Sequence, residues 1–121
     1  MKSIDLSANS KIQAINCGLN DLTFLDLSNN LRLETLYCFY NKLIEINFAT
    51  DNSLKLLDCH SNQLRSLEIK GCTDLEELDC RSNSLSYLDV YNNLKLLSLK
   101  CDGRSIEDYS NTNLFLNLNR I

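Results

Sequence analysis

Proline is absent from this 121-residue chain, glycine occurs three times and histidine once. With no proline, nothing in the sequence forces a kink or removes a backbone donor from a ladder. Three scattered glycines cannot form the glycine-rich loops that cradle phosphate, and no Ser/His/Asp constellation is available, so the common catalytic motifs are missing. No segment carries helical periodicity over the ten or so residues a helix needs. No apolar run approaches the ~20 residues of a membrane span, and Met1 to Lys11 holds no cleavable hydrophobic segment. Basic residues are too few for a nucleic-acid footprint: 12 Lys and Arg against 16 Asp and Glu give a net charge of −4, with both signs spread along the chain. The expected properties are therefore no nucleic-acid partner, no membrane segment and no cofactor.

What is present is a period. Cys17, Cys38, Cys59, Cys80 and Cys101 recur every 21 residues, and the apolar residues around them keep step. One unit reads Leu33, Leu36, Cys38, Asn41, Leu43, Ile46, Phe48; the next reads Leu54, Leu57, Cys59, Asn62, Leu64, Leu67, Ile69; a third reads Leu75, Leu78, Cys80, Asn83, Leu85, Leu88, Val90. Ile12, Ile15, Cys17, Asn20, Leu22, Leu25 and Leu27 obey the same frame, preceded by Ile4 and Leu6 of a half-unit. A fixed period of this size means that each unit cannot bury its own apolar face and must stack on its neighbours.

Each unit contains two half-patterns, and in both a short alternating stretch such as Leu78-Asp79-Cys80 or Leu88-Asp89-Val90 indicates a strand with one buried face. Two parallel strand ladders are expected, one on each side of a flattened coil. Asn20, Asn41, Asn62 and Asn83 close the Cys-bearing half, where asparagine tolerates left-handed backbone and bonds to nearby peptide groups, so they read as a structural ladder. The other half closes on Asn9, Asn30, Asp51, Cys72 and Asn93, a less uniform set that predicts a looser side. The coils run over 12–32, 33–53, 54–74 and 75–95, with a partial coil at 1–11 and a degenerate coil plus cap at 96–121, all forming one domain. In that last stretch Asp102-Gly103-Arg104-Ser105 breaks the asparagine position, and Leu114, Leu116 and Leu118 suit a closing strand. The half-coil at the start reads either as the open end of a truncated array or as an edge for weak dimerisation.

The pattern L-x-x-L-x-C-x-x-N-x-L resembles the leucine-rich repeat, whose units run to roughly 20–29 residues. Its length, the cysteine and the trailing L-x-x-L-x-L are most similar to the 21-residue nested bacterial class called IRREKO. The resemblance implies a predominantly β solenoid with little or no helix, used for protein recognition and without enzymatic activity, and it offers an alternative to two ladders: one on the concave side only, with extended or 3₁₀ segments opposite. It names no ligand.

The five ladder cysteines lie one per layer with no C-x-x-C pair, which argues against zinc and disulfides; they read as small buried hydrophobes. Cys72, outside the ladder, is the one thiol expected to be exposed and reactive. Outward residues of the Cys-bearing strand form columns: Asn16, Tyr37, Asp58, Asp79, Lys100 in one, Gly18, Phe39, His60, Arg81, Asp102 in another, and Ala14, Thr35, Leu56, Glu77, Ser98 in a third. Tyr37, Phe39 and Tyr40 place three aromatics in one coil without core positions to fill, the type of cluster that binding hot spots favour. Asp58 and Asp79 should lie side by side, a repulsion that Arg81 and Lys100 are placed to offset. The sharper reading of the same residues is a mixed polar site of Glu77, Asp79, His60 and Arg81 for a charged partner; a divalent cation ranks third, and no metal site is assigned. Asp58-Cys59-His60 holds the residue types of a nucleophile and its base, yet alternation sends Cys59 inward and its neighbours outward, so the dyad cannot assemble. Tyr87, Tyr91, Phe24 and Arg65 face outward on the opposite side without clustering.

The sequence thus predicts a non-catalytic interaction module binding a protein of unspecified identity, the alternative being a spacer that belongs to a longer repeat protein. As it stands the chain reads as cytoplasmic, and as secreted or surface-exposed if it is part of something longer.

Overall fold

A computed structural model of the protein describes residues 1–86 and 88–102. Tyr87, the degenerate end at Gly103 and Arg104 and the closing strand read at Leu114, Leu116 and Leu118 lie outside the described residues.

Seven short strands and no helix make up the described fold. One sheet is formed by β1 (Ala14–Asn16), β3 (Thr35–Tyr37), β5 (Leu56–Asp58), β6 (Glu77–Asp79) and β7 (Ser98–Lys100), in that order and all parallel. Its register follows the sequence period: Ile15 pairs with Leu36, Leu36 with Leu57, Leu57 with Leu78 and Leu78 with Leu99. Each strand is three residues long with only its central leucine or isoleucine buried. The cysteine that follows extends the ladder, because the amides of Cys17, Cys38, Cys59 and Cys80 donate to Tyr37, Asp58, Asp79 and Lys100 of the next coil, each at 2.9 Å. Leucines and cysteines from every coil join in one continuous core. Burying one such leucine contributes about 2 kcal/mol, and because every layer offers the same positions, the contribution repeats along the array.

The asparagines hold the layers together. Asn41 Nδ2 donates to the carbonyls of Cys17 and Cys38, and its Oδ1 accepts from Leu22 N–H in the preceding coil. Asn62 and Asn83 repeat the arrangement one and two layers on. Asn20 accepts from the Met1 amino group at 3.2 Å, the position one period before Leu22, so the ladder is occupied from the first residue. The left-handed backbone, expected at the asparagines, falls one residue earlier, at Leu19, Tyr40, Ser61 and Ser82, with φ between 51 and 60°. The turn thereby leaves the asparagine side chain free to reach inward across two layers.

The opposite side is the looser one, as its uneven closing residues predict. Its described ladder has two strands, β2 (Phe24–Leu27) and β4 (Glu45–Phe48), paired in parallel, and in the corresponding stretch of the next coil Leu67 and Ile69 are buried but the segment is unpaired as strand. The irregularity begins at the corner after β4. At the equivalent corners of other coils Asn30 and Asn93 are buried and each donates to two carbonyls of the preceding coil, Leu6 and Asn9 for the first, Ile69 and Cys72 for the second. Aspartate has no amide hydrogens to donate and would bring a charge into a dry corner. Asp51 accordingly stays exposed, and Asn52 substitutes from the adjacent position by donating to Ala49 O and accepting from Leu54 N–H. That shift replaces the backbone turn bonds that Asn30, Cys72 and Asn93 make to Leu27, Ile69 and Val90. The corner also crowds the next coil, since a side chain on Gly71 would meet Thr50 O at 2.3 Å.

Cys72 is the second correction. Occupying the position that asparagine holds elsewhere, it is fully buried, its Sγ accepts from Asn52 Nδ2 at 3.4 Å, and burial pushes its pKa up to about 11. A thiol in that state is inert, not reactive. The five ladder thiols are buried as well, and desolvation raises the pKa of each.

Candidate recognition surface

Strand alternation and the 21-residue register together decide which outward side chains meet. Phe39 leaves β3 beside Gly18, where a Cβ would come within 2.7 Å of its ring. On its other side the ring stacks on His60 of the following coil, with centroids 5.3 Å apart and planes inclined by 14°. Tyr37 and Tyr40 both present edges to Phe39, at 6.2 and 6.3 Å, and Tyr40 packs edge-on against His60 at 5.1 Å. The three aromatics expected to cluster do so. Phe39 and Tyr37 are half-buried, whereas Tyr40 is 55% exposed. Gly18 is the residue that sequence reasoning passed over. Its signal was available in the column Gly18, Phe39, His60, where the smallest side chain precedes a large ring.

Asp58 and Asp79 pair in register across β5 and β6. Arg81 offsets one of them as expected: its Nε and Nη2 donate to Asp79 Oδ1 and Oδ2 at 3.0 and 2.8 Å. Lys100 aligns with Asp79 in register but forms no ion pair with a described residue. The partner of Asp58 is His60 instead. Its Nδ1 lies 2.5 Å from Asp58 Oδ1 and 3.8 Å from Asp79 Oδ2. Burial alone would raise the pKa of Asp79, but the hydrogen bonds and charge of Arg81, with a smaller contribution from His60, hold it below the ordinary carboxylate value. Asp58 Oδ1 also accepts the His60 amide, a turn that fixes both residues on the sheet face.

Beside this cluster a cavity of about 180 Å³ is lined by Tyr37, Leu56, Asp58, Glu77, Asp79, Ser98 and Lys100, together with the buried Leu57 and Leu78. Glu77, Ser98 and Lys100 are exposed at its rim. Cys59 is fully buried between the outward-facing Asp58 and His60, so its thiol does not serve as a nucleophile beside the imidazole. Tyr91, Phe24 and Arg65 belong to the other side of the coil; Tyr91 and Phe24 are 60% and 45% exposed, with no aromatic contact to a described residue.

Parallel layers 21 residues apart, an inward leucine and cysteine in each and an asparagine ladder at the turn define a leucine-rich-repeat solenoid. The fold is similar to the functional domain of InlJ from Listeria monocytogenes, described as including a cysteine ladder: 31% sequence identity and a TM-score of 0.82 over 90% of this chain. The match spans 24% of that chain. No protein-family model and no curated protein matches the sequence. Solenoids of this class serve in general as protein-interaction scaffolds, and no helix among the described residues is long and apolar enough to cross a membrane.

Proposed function

We propose that the chain is a non-catalytic recognition module whose contact surface is the outward face of the five-stranded sheet. Tyr37, Phe39 and Tyr40 form its apolar centre, and Asp58, His60, Glu77, Asp79, Arg81 and Lys100 form its polar flank. The observation that carries this reading is the immobilised aromatic cluster: Phe39 is wedged between Gly18 and His60, and Tyr40 is left more than half exposed. Rings already held in place lose little conformational freedom on binding, which is why aromatic anchors dominate hot spots. None of the three supports the core, so their placement on the sheet face serves a partner better than it serves the fold.

Affinity capture with the chain as bait, followed by measured binding of the captured protein, tests this. Replacing Phe39 and Tyr40 together by alanine should weaken that binding by more than about tenfold while the melting curve stays close to that of the parent. Tyr91→Ala, on the other side of the coil, should leave it unchanged. Binding that survives the double substitution, or that is lost with Tyr91, would place the contact surface elsewhere.

A further inference from the structure

We propose that Asp58, His60 and Asp79 form a binding site for a single zinc ion on the face of the five-stranded sheet. Their ligand atoms, the imidazole Nδ1 and one oxygen of each carboxylate, all lie within 4.8 Å of one another. The fold brings them together without a dedicated loop. Asp58 and His60 are two residues apart on one side of an extended segment, and the register sets Asp79 beside Asp58 in the next layer.

The geometry is close to what the ion needs. Ligands about 2.0–2.1 Å from a tetrahedral zinc stand roughly 3.3 Å from each other. The imidazole nitrogen is 2.5 Å from one carboxylate and 3.8 Å from the other, each within about an ångström of that spacing.

Charge points the same way. Two in-register carboxylates share one permanent cation: Arg81 bonds both oxygens of Asp79 and reaches the half-buried Asp58 only through its charge, while the imidazole supplies the side-chain contact to Asp58. A divalent ion neutralises both carboxylates, and Arg81 then stays on as the outer hydrogen-bond donor that orients a ligating oxygen. The ring of His60 is already clamped by Phe39 on one face and Tyr40 at its edge, so ordering it for an ion costs little. One nitrogen and two oxygens favour zinc or another late first-row ion over magnesium and calcium, which take all-oxygen sets of higher coordination number. Asp58 and Asp79 also border the cavity beside the cluster, which leaves room for water or a side chain of a bound protein to complete the shell. All six cysteines are buried, which excludes them as ligands of this surface site.

Isothermal titration of the untagged, reduced protein with Zn²⁺ alone tests the site without any partner, so its outcome is separate from that of the recognition reading. One ion per chain should bind, unaffected by excess Ca²⁺. His60→Ala and Asp79→Asn should each weaken binding by at least about tenfold, and Asp74→Asn, a surface carboxylate paired with Lys95, should not. Circular dichroism melts of the variants confirm folding, and Asp58→Asn serves as a further test if one of them fails to fold. Co²⁺ in place of Zn²⁺ should give a spectrum without thiolate charge-transfer absorption. No saturable binding, undiminished binding by folded His60→Ala, or a cobalt–thiolate band would overturn the proposal.

Discussion

The two sides of each coil are built from nearly the same half-pattern, yet one carries a five-stranded sheet and the other a described ladder of two strands. The difference traces to one residue type at the closing turn. On the sheet side Asn41, Asn62 and Asn83 fill the closing position in consecutive layers, and each amide bonds both its own coil and the one before. On the other side the equivalent series reads Asn30, Asp51, Cys72, Asn93, and the layer with Asp51 turns its corner differently. Leucine repetition is thus sufficient to stack the layers, whereas an unbroken ladder also needs a donor at every turn.

The most damaging way to break the regular side is to remove one rung. Asn62→Ala leaves the Leu43 amide without its buried partner and removes one of the two amide donors on each of the Cys38 and Cys59 carbonyls, which keep Asn41 and Asn83, and should cost about 2 kcal/mol in a denaturant titration. A loss below about 1 kcal/mol would mean that water or a relaxed backbone replaces the rung, and the ladder would then not be what separates the two sides.

Repairing the irregular side is the converse test. Asp51→Asn restores the donor found at Asn30 and Asn93, and should stabilise the chain by about 0.5–1 kcal/mol. Hydrogen exchange should slow at the amides of Leu67 to Ile69 if the corner at 49–52 is what keeps that stretch from pairing. Unchanged exchange together with unchanged stability would detach the strand loss from the corner.

The smallest effect concerns acid. Asp79 has a folded pKa below its ordinary value, so its contribution to stability is present above the unfolded carboxylate range and fades as pH falls through the lower folded value. Asp79→Asn should flatten the loss of stability below about pH 4, measured by melting temperature against pH. An equally steep acid limb in the variant would show that other carboxylates set it.

Much of this was legible beforehand because a period of 21 with inward Leu and Cys is a statement about burial, and burial is decided layer by layer. The aromatic cluster was legible for the same reason, since residues denied a core position must face out. Two expectations failed where a side chain's role depends on its neighbour in the adjacent layer. Cys72 read as an exposed turn thiol, but its position is the buried corner that asparagine occupies elsewhere. Lys100 read with Arg81 as an offset for the acidic pair, but it forms no ion pair with a described residue, and His60, from the column beside Asp58 and Asp79, joins Arg81 in contacting them.

By itself the sequence determined the layer repeat, the buried ladders and the set of side chains turned to solvent, because alternation and period act locally and identically in every coil. Only the tertiary structure decided that Phe39 rests against Gly18, that His60 joins Asp58 to Asp79, and that the chain bends around Asn52 in place of Asp51. Those outcomes depend on distances of a few ångströms between layers, set by how each turn satisfies its own polar groups, and a one-dimensional pattern carries no such distances.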